Sequence, residues 1–350
     1  MMYNYGPSFL WLPFPFFENL NFLYLKLVPI ILIFLFVYLV IRIIDPKSKI
    51  SYILTFLILM NPGTIQLVEK FNFDLIVFLI TILIIYSNRN ILNSMLILIM
   101  ASVKFYPIVI IYKFIFLNEK FNKFILYTLI TFVIFLFYFY INIEDIKKIF
   151  MSDLLKNMTV GAKNFYIFSI NDYLLDRKDE ILKLPESIHL LDIYKIIENK
   201  LLNIILFAVL IIFFSKLFFK KKLLNINYFE IKTQMFMISS IILITTYLIH
   251  PNVFYREIFI ILLVPLLYNF HKKYKGIFKY FMYFLITKYL LDFLIIVSDN
   301  NLFNSYIVTG FINTFLPLLD FVFMSFITSM FIIFNYKLFN YYNINNKLKI

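Results

Sequence analysis

The chain has 350 residues, of which 62% are hydrophobic, 21% aromatic and 15% charged, with a mean hydropathy of +0.87 and a formal net charge of +13. A soluble domain of this size does not cover so much apolar surface with so few charges, so the composition predicts a polytopic helical membrane protein. The chain has no cysteine, and its three histidines are far apart in sequence. Disulfides and thiol chemistry are therefore excluded, and we expect neither a metal nor a cofactor.

Apolar segments separated by short polar breaks predict an all-α bundle of about eleven helical segments. In chain order they are about 22–44, 50–62, 72–87, 91–105, 107–118, 122–142, 200–218, 233–250, 254–269, 276–297 and 307–336. We divide the chain into N-terminal membrane helices (1–142), an extracytoplasmic loop or cap (143–199) and C-terminal membrane helices (200–350).

The distribution of charge predicts the orientation. With the N-terminus outside, one side collects a large excess of basic residues, including Arg42, Lys47 and the lysines 220–222, whereas the other side is nearly balanced. Because cytoplasmic loops carry the Lys and Arg excess, we expect a multi-pass cell-membrane protein with its C-terminus in the cytoplasm and residues 143–199 outside. The net charge is then topological, and no nucleic-acid partner is expected.

Charged residues flank a hairpin of two apolar segments, "EKFNFDLIVFL" and "SVKFYPIVII". Glu69 and Asp74 flank the start of one helix, and Lys104 closes the next. Ionisable groups at membrane depth are costly and are often functional. Lys104 is either an ammonium that binds a phosphate or a lysine that snorkels to the interface. The two acids are either functional or helix-terminal carboxylates that interact with the macrodipole.

A second polar group begins at His250 in "HPNVFYREIFIILLVPLLY", where a proline separates two apolar spans and Arg256 enters the next helix. A planar guanidinium suits a phosphate, and the alternative is an arginine at the headgroups. Lys288 and Asp292 are four residues apart and predict a structural ion pair on one helix face. Asp320 has no partner nearby in sequence and is not assigned a role.

At these motifs the chain resembles PimE-like, polyprenol-phosphate-sugar-dependent glycosyltransferases of the GT-C class. Members have a Gly-Asn-x-Asp-like element that opens one helix and a Lys-x-x-Pro-like element that closes the next. Asn72 and Asp74 match the first element, and Lys104 and Pro107 match the second, whereas Phe71 stands where the family has Gly. The segments "YNYGPSFLWLPF" and "HPNVFYREIFIILLVPLL" are similar to two further family segments.

The resemblance implies a GT-C-like bundle and a membrane enzyme, by analogy a mannosyltransferase. Such an enzyme moves a sugar from a polyprenyl-phosphate donor to a glycolipid or glycan acceptor at the outer face. The resemblance implies Lys104, Arg256 and His250 as ligands of the donor phosphate. It leaves Asp74 or Glu69 as the base that deprotonates the acceptor hydroxyl.

The resemblance also implies that four polar residues bind substrate: Asn72, Tyr106, Tyr255 and Tyr5. In the family, the catalytic Asp lies in the first outer loop, and this chain begins after that point. We therefore expect the first helix and first outer loop to be missing.

Two readings other than the enzyme remain open: a non-enzymatic membrane protein such as a lipid-linked-sugar flippase or transporter, and an inactive truncated paralogue. Transporters often contain internal repeats and helices broken near the midplane. The sequence shows no repeat, and its polar groups gather on one predicted face, which favours the enzyme.

Overall fold

The computed structural model describes residues 22–69, 73–117, 121–144, 200–220, 227–248, 254–274, 276–297 and 306–347. Within these ranges the chain is helical apart from short connections, and it contains no β-strand. The predicted all-α class is therefore confirmed for the described part of the chain. The predicted extracytoplasmic loop 143–199 lies outside the described residues, apart from its first two positions.

Twelve α-helices and two 3₁₀-helices make up the described residues. The first group is α1 (Phe22–Ile44), α2 (Lys49–Leu59), α3 (Pro62–Glu69), α4 (Phe73–Tyr86), α5 (Asn90–Val103), the first 3₁₀-helix (Tyr106–Lys113), α6 (Phe114–Leu117) and α7 (Phe121–Ile141). The second group is α8 (Lys200–Lys220), α9 (Ile231–Leu248), the second 3₁₀-helix (Phe254–Leu262), α10 (Val264–Lys273), α11 (Ile277–Val297) and α12 (Tyr306–Lys347).

Every predicted segment overlaps a helix, but α3 was not predicted as a separate helix. It begins at Pro62, whose ring nitrogen cannot donate a hydrogen bond and which therefore suits the first turn of a new helix. The Asn61 side chain accepts a hydrogen bond from the Gly63 backbone at 2.8 Å, and the Thr64 hydroxyl donates to the Ile58 carbonyl at 2.9 Å. These local contacts separate α2 from α3 within a stretch that the sequence analysis took as one helix and a loop.

Two predicted segments begin as 3₁₀-helices rather than α-helices. The first 3₁₀-helix has a proline, Pro107, in its first turn, and α10 follows the second 3₁₀-helix with Pro265 in its first turn. Runs of 3₁₀-helix longer than about four residues are uncommon, and these have 8 and 9 residues. Both are rich in isoleucine and other residues whose side chains crowd an α-helix.

Three of the described helices are long and apolar enough to cross a membrane: Phe121–Ile141, Ile231–Leu248 and Leu319–Tyr342 within α12. Several others are apolar but shorter than a full span, including α2, α4 and α5. The predicted membrane character is thus supported by length and composition, whereas the predicted orientation stays a prediction.

The described residues fall into two compact units. The first draws on Met1–Asn157, Asn227–Thr245 and Val253–Ile286. In this unit the second 3₁₀-helix packs against α1, α3, α4 and α10. Its residues from Ile258 to Leu262 are all buried, so this apolar segment is the centre of the unit's core.

The second unit draws on Met158–Ile226, Thr246–Asn252 and Thr287–Ile350. Here α8 packs along α12, and aromatic side chains fill the seam. The Phe207 ring lies 5.3 Å from Phe321 and the Phe218 ring lies 5.1 Å from Phe326, both edge to face. These units do not follow the predicted division at residues 142 and 199, which stays a prediction.

Candidate functional site

Three of the predicted site residues meet in the first compact unit. Asp74 is in the first turn of α4, and Lys104 is the residue directly after α5. Lys104 has an extended backbone (φ −133°, ψ 132°), and its backbone N–H bonds the Met100 carbonyl, which ends α5. Tyr106 then begins the first 3₁₀-helix. Because α4 and α5 form a hairpin, its two open ends bring these residues together.

The contact between them is direct. The Lys104 Nζ lies 2.7 Å from the Asp74 Oδ2, and the Tyr106 hydroxyl donates to the Asp74 Oδ1 at 2.6 Å. Asp74 is 0% exposed, Lys104 4% and Tyr106 3%. A buried carboxylate is costly unless it is paired and hydrogen-bonded, and here each oxygen accepts a hydrogen bond. The position of Asp74 near the positive end of the α4 macrodipole stabilises it further.

Aromatic rings close one side of this cluster. The Phe259 ring lies 6.3 Å from Tyr106 and 5.7 Å from Phe78, and Phe78 lies 5.6 Å from Phe36, all edge to face. Phe259 belongs to the second 3₁₀-helix, and its carbonyl accepts a hydrogen bond from the Ser239 hydroxyl. These rings keep water from the ion pair on that side, so the pair interacts in a low-dielectric setting.

The second 3₁₀-helix also carries two predicted site residues, Tyr255 and Arg256, of which only the backbone is described. This helix packs against α4, which carries Asp74, and against α3, which ends at Glu69. The helix that carries Arg256 therefore packs against the two helices that carry the candidate bases, Asp74 and Glu69. The predicted meeting of the Arg256 and Lys104 side chains stays a prediction.

The other predicted site residues are not tested. The side chain of Glu69 is not described, and His250, Asn72 and Tyr5 lie outside the described residues. The assignments of Glu69 or Asp74 as the base, and of His250 as a phosphate ligand, therefore stay predictions. Among the residues that the structure describes, no group of three potential metal ligands is present.

A buried lysine that sequence reasoning missed lies in the same unit. Lys113 was not among the predicted site residues, and it is 0% exposed. Its Nζ donates to the Ile85 carbonyl at 2.7 Å and to the Gln234 side chain at 2.5 Å. The spacing of Lys113 and Gln234 along the chain gives no signal for this contact.

A second buried ionic cluster lies in the second unit. The predicted ion pair of Lys288 and Asp292 is confirmed, with the Nζ and Oδ2 atoms 3.1 Å apart. Asp320 of α12 also contacts the Lys288 Nζ, at 3.0 Å. Lys288 is 0% exposed, while the Asp320 side chain is 27% exposed. One ammonium therefore serves two carboxylates, an arrangement that the sequence did not predict because Asp320 is on a different helix.

Comparison of the chain with protein-family models, with curated proteins and with solved structures finds no match. The resemblance to GT-C glycosyltransferases therefore depends on the motifs around Asp74, Lys104 and Arg256, and it stays a prediction.

Proposed function

We propose that this chain is an integral-membrane glycosyltransferase that takes a sugar from a polyprenyl-phosphate donor and passes it to a glycolipid or glycan acceptor at the outer face of the membrane. The observation that carries the proposal is the buried pair of Asp74 and Lys104, 30 positions apart in sequence, with Tyr106 bonded to the same carboxylate. One residue from each of the two family motif elements thus takes part in this pair.

The exposed apolar surface of α7 supports a membrane location. Only 11% of the apolar part of this helix is buried inside the protein, and Phe137 and Tyr140 are 65% and 74% exposed. An apolar surface of this kind is stable in lipid and unfavourable in water. The orientation that we propose is the one predicted from charge, with the α4–α5 motif ends outside.

Lys104 is the residue that we propose to bind the donor. In the cluster the Asp74 carboxylate pairs with the Lys104 ammonium. This pairing avoids the free-energy cost of a buried charge that has no partner. A donor phosphate carries the same kind of anionic oxygen as a carboxylate and competes for this ammonium. When the phosphate takes Lys104, the Asp74 carboxylate loses its cation and becomes a stronger base.

The proposed step is a displacement at the anomeric carbon. An acceptor hydroxyl oxygen forms the new bond to that carbon, and the bond from the carbon to the phosphate oxygen breaks. The electron pair of the broken bond goes to the phosphate, which leaves as polyprenyl phosphate next to Lys104. The hydroxyl proton goes to a carboxylate, Asp74 or Glu69, as a general base.

Donor binding tests the proposal. The purified chain in lipid nanodiscs is titrated with a polyprenyl-phosphate mannose, and bound donor is counted by native mass spectrometry. Loss of a hydrogen bond to a charged group is worth roughly 1.5–3 kcal/mol, so Lys104→Met should weaken donor binding at least about tenfold. Lys104→Arg keeps the charge and should retain most of the binding. The exposed Lys123 provides the control Lys123→Met, which should bind as the unchanged chain does.

Transfer tests the role of Asp74. With labelled donor and a membrane glycolipid extract as acceptor, Asp74→Asn should lower the rate by about 10²–10⁴-fold. Donor binding by Asp74→Asn should not weaken, because the Asp74 carboxylate no longer competes with the donor phosphate for Lys104. Equal donor affinity for Lys104→Met, Lys123→Met and the unchanged chain would exclude the proposed phosphate site.

The second candidate function is a transporter of lipid-linked sugars, and the cluster of Lys288, Asp292 and Asp320 favours it. Buried charges within membrane helices often mark a transport path or a proton relay. In proteoliposomes, a transporter would move labelled donor between leaflets, Lys288→Gln would stop that movement, and Lys104→Met would not. The glycosyltransferase predicts the opposite dependence, with Lys104 essential and no net movement of donor.

A further inference from the structure

A cavity of about 1060 Å³ lies within the first compact unit, away from the Asp74 cluster. It is lined by the end of α1, the connection to α2, the end of α4, the start of α9 and α10. Asp74 is in the first turn of α4, whereas Tyr86 at the other end of α4 lines the cavity. The 14-residue length of α4 separates the two sites by roughly 20 Å.

The charged groups of the cavity favour an anion. Two acidic side chains line it, Asp45 and Glu230, and four basic ones: Arg42, Lys47, Lys232 and Lys272. All four basic side chains are exposed, so they can contact a ligand without breaking the core. They come from three separate parts of the chain, which is the arrangement that surrounds one bound anion rather than a single charged helix face.

Contacts inside the cavity hold these cations in place. The Arg42 Nη1 donates to the Tyr38 hydroxyl at 3.0 Å, and the Lys272 Nζ lies 4.6 Å from the centre of the Tyr268 ring. A guanidinium held on one edge keeps its other N–H groups for an anionic oxygen. Tyr268 is itself buried, so the Lys272 contact is anchored to the core.

The connection between α1 and α2 has an unusual backbone. Asp45 has a φ of 46°, and it is the one non-glycine residue with positive φ in the described part of the chain. Its Oδ2 lies 2.6 Å from the Lys47 Nζ. The hydrogen bond that Lys47 donates to this carboxylate, and then the charge of the carboxylate, hold the pKa of Lys47 above its usual value. Non-glycine residues in the left-handed region recur at ligand clamps, and this turn presents Lys47 to the cavity.

The rim of the cavity is apolar and aromatic. Tyr38, Tyr52 and Tyr86 are 55%, 60% and 54% exposed, and Ile41 is 46% exposed. Tyrosine is enriched where a membrane protein meets the headgroups, because its ring is apolar and its hydroxyl is polar. A basic cavity with such a rim matches a lipid headgroup whose acyl chains continue along the apolar helices.

We propose that this cavity binds a phosphate-bearing anion, with the headgroup of an anionic phospholipid as the source that the tyrosine rim favours. Arg42, Lys47 and Lys272 contact the phosphate. Lys232 and the positive N-terminal end of the α9 macrodipole also attract it. The site is separate from the proposed sugar-donor site, so each can fail without the other.

Lipid retention tests this site. The chain is reconstituted in nanodiscs of phosphatidylcholine with a fraction of phosphatidylglycerol, released, and its bound lipids are counted by native mass spectrometry. We expect retention of phosphatidylglycerol over phosphatidylcholine, and a loss of about tenfold or more in the double variant R42Q/K272Q. K47Q/K232Q, which removes two other cavity cations, should lose it as well. The matched control K123Q/K216Q removes the same charge from exposed lysines outside the cavity and should retain it.

A second arm separates the two sources of phosphate. In detergent without phospholipid, millimolar inorganic phosphate is added and the thermal unfolding midpoint is measured. A rise that is absent in R42Q/K272Q supports the site with a soluble phosphate as its ligand, whereas lipid retention alone supports the headgroup. The proposal would be overturned if the cavity variants retained as much phosphatidylglycerol as K123Q/K216Q does and phosphate did not raise the unfolding midpoint.

Discussion

The two buried ionic clusters of this chain differ in how their charges balance. In the first unit, one carboxylate (Asp74) meets one ammonium (Lys104) and a phenol (Tyr106), and all three groups are nearly fully buried. In the second unit, one ammonium (Lys288) meets two carboxylates (Asp292 and Asp320), of which Asp320 is 27% exposed. Among these residues the first cluster has one carboxylate for one ammonium, and the second has two carboxylates for one ammonium.

Position along the helices differs as well. Asp74 is in the first turn of its helix, and Lys104 directly follows the end of its own. Lys288 is near the middle of α11, and Asp292 lies one turn further towards its end at Val297. The comparison teaches that a pair of one acid and one base at two helix ends suits exchange with a charged ligand. Two carboxylates on different helices that contact the same ammonium both lose that contact when the ammonium is removed.

The largest effect is expected at Lys288. Lys288→Met removes the ammonium that both the Asp292 and the Asp320 carboxylates contact. Breaking a buried ion pair in this way costs about 3–5 kcal/mol of unfolding free energy. The free energy is measured by titrating the detergent-solubilised chain with sodium dodecyl sulfate. The exposed Lys216 gives a control, Lys216→Met, which should change stability little.

A double variant sharpens the Lys288 experiment. Lys288→Met combined with Asp320→Asn also removes the charge of one of the two carboxylates that had contacted Lys288, and it should recover part of the lost stability. If the double variant is less stable than Lys288→Met alone, Asp320 does not depend on Lys288 for its charge balance.

The next effect is expected at Asp74. Asp74→Asn leaves the buried Lys104 ammonium without its carboxylate, at a cost of about 3 kcal/mol. Addition of a polyprenyl-phosphate donor should restore more stability to Asp74→Asn than to the unchanged chain, because its phosphate replaces the missing carboxylate. Thermal unfolding with and without donor measures both effects. An Asp74→Asn variant as stable as the unchanged chain would show that Asp74 and Lys104 do not form a pair in the membrane.

Tyr106→Phe should have a smaller effect. It removes one hydrogen bond to the Asp74 carboxylate but keeps the ring that contacts Phe259. A hydrogen bond to a charged group contributes about 1.5–3 kcal/mol, and the Lys104 contact remains. The same denaturant titration measures it. A loss as large as that of Asp74→Asn would mean that the hydroxyl, and not the Lys104 contact, is the main partner of the Asp74 carboxylate. No loss at all would mean that the ring packing, not the hydroxyl, holds Tyr106 in the cluster.

The smallest effect is expected from Asp320→Asn. This change removes one of the two carboxylates that contact Lys288 and leaves Lys288 paired with Asp292 at 3.1 Å. We expect a change of about 1 kcal/mol or less in unfolding free energy, since the variant keeps one balanced buried pair. A loss comparable to Lys288→Met would show that both carboxylates are required.

The sequence predicted a different part of each cluster. Apolar runs bounded by polar residues located the helices, and a hairpin necessarily brings the ends that carry Asp74 and Lys104 to one face. The direct ion pair was not predicted, because the sequence does not determine which way each side chain points. Lys288 and Asp292 were predicted as a pair from helical spacing, whereas Asp320 comes from another helix and only tertiary packing brings it to Lys288.

The 3₁₀-helices were beyond sequence reasoning for a different reason. The segments that form them have only 8 and 9 residues, and over so few residues hydrophobic periodicity cannot distinguish three residues per turn from 3.6. The separate helix α3 was within reach, because "NPGT" after residue 60 contains a proline and a glycine, which are strong helix-breaking signals.

The second 3₁₀-helix would change both its length and the direction of its side chains if it became an α-helix. A 3₁₀-helix rises about 2.0 Å per residue and turns about 120°, whereas an α-helix rises about 1.5 Å and turns about 100°. Conversion of its 9 residues to α-helix would shorten the segment by roughly 4–5 Å. Positions 256 and 259 share one face only at three residues per turn, and the same conversion would rotate them about 60° apart. The helix type of this segment therefore determines both its length and the position at which Phe259 meets Tyr106.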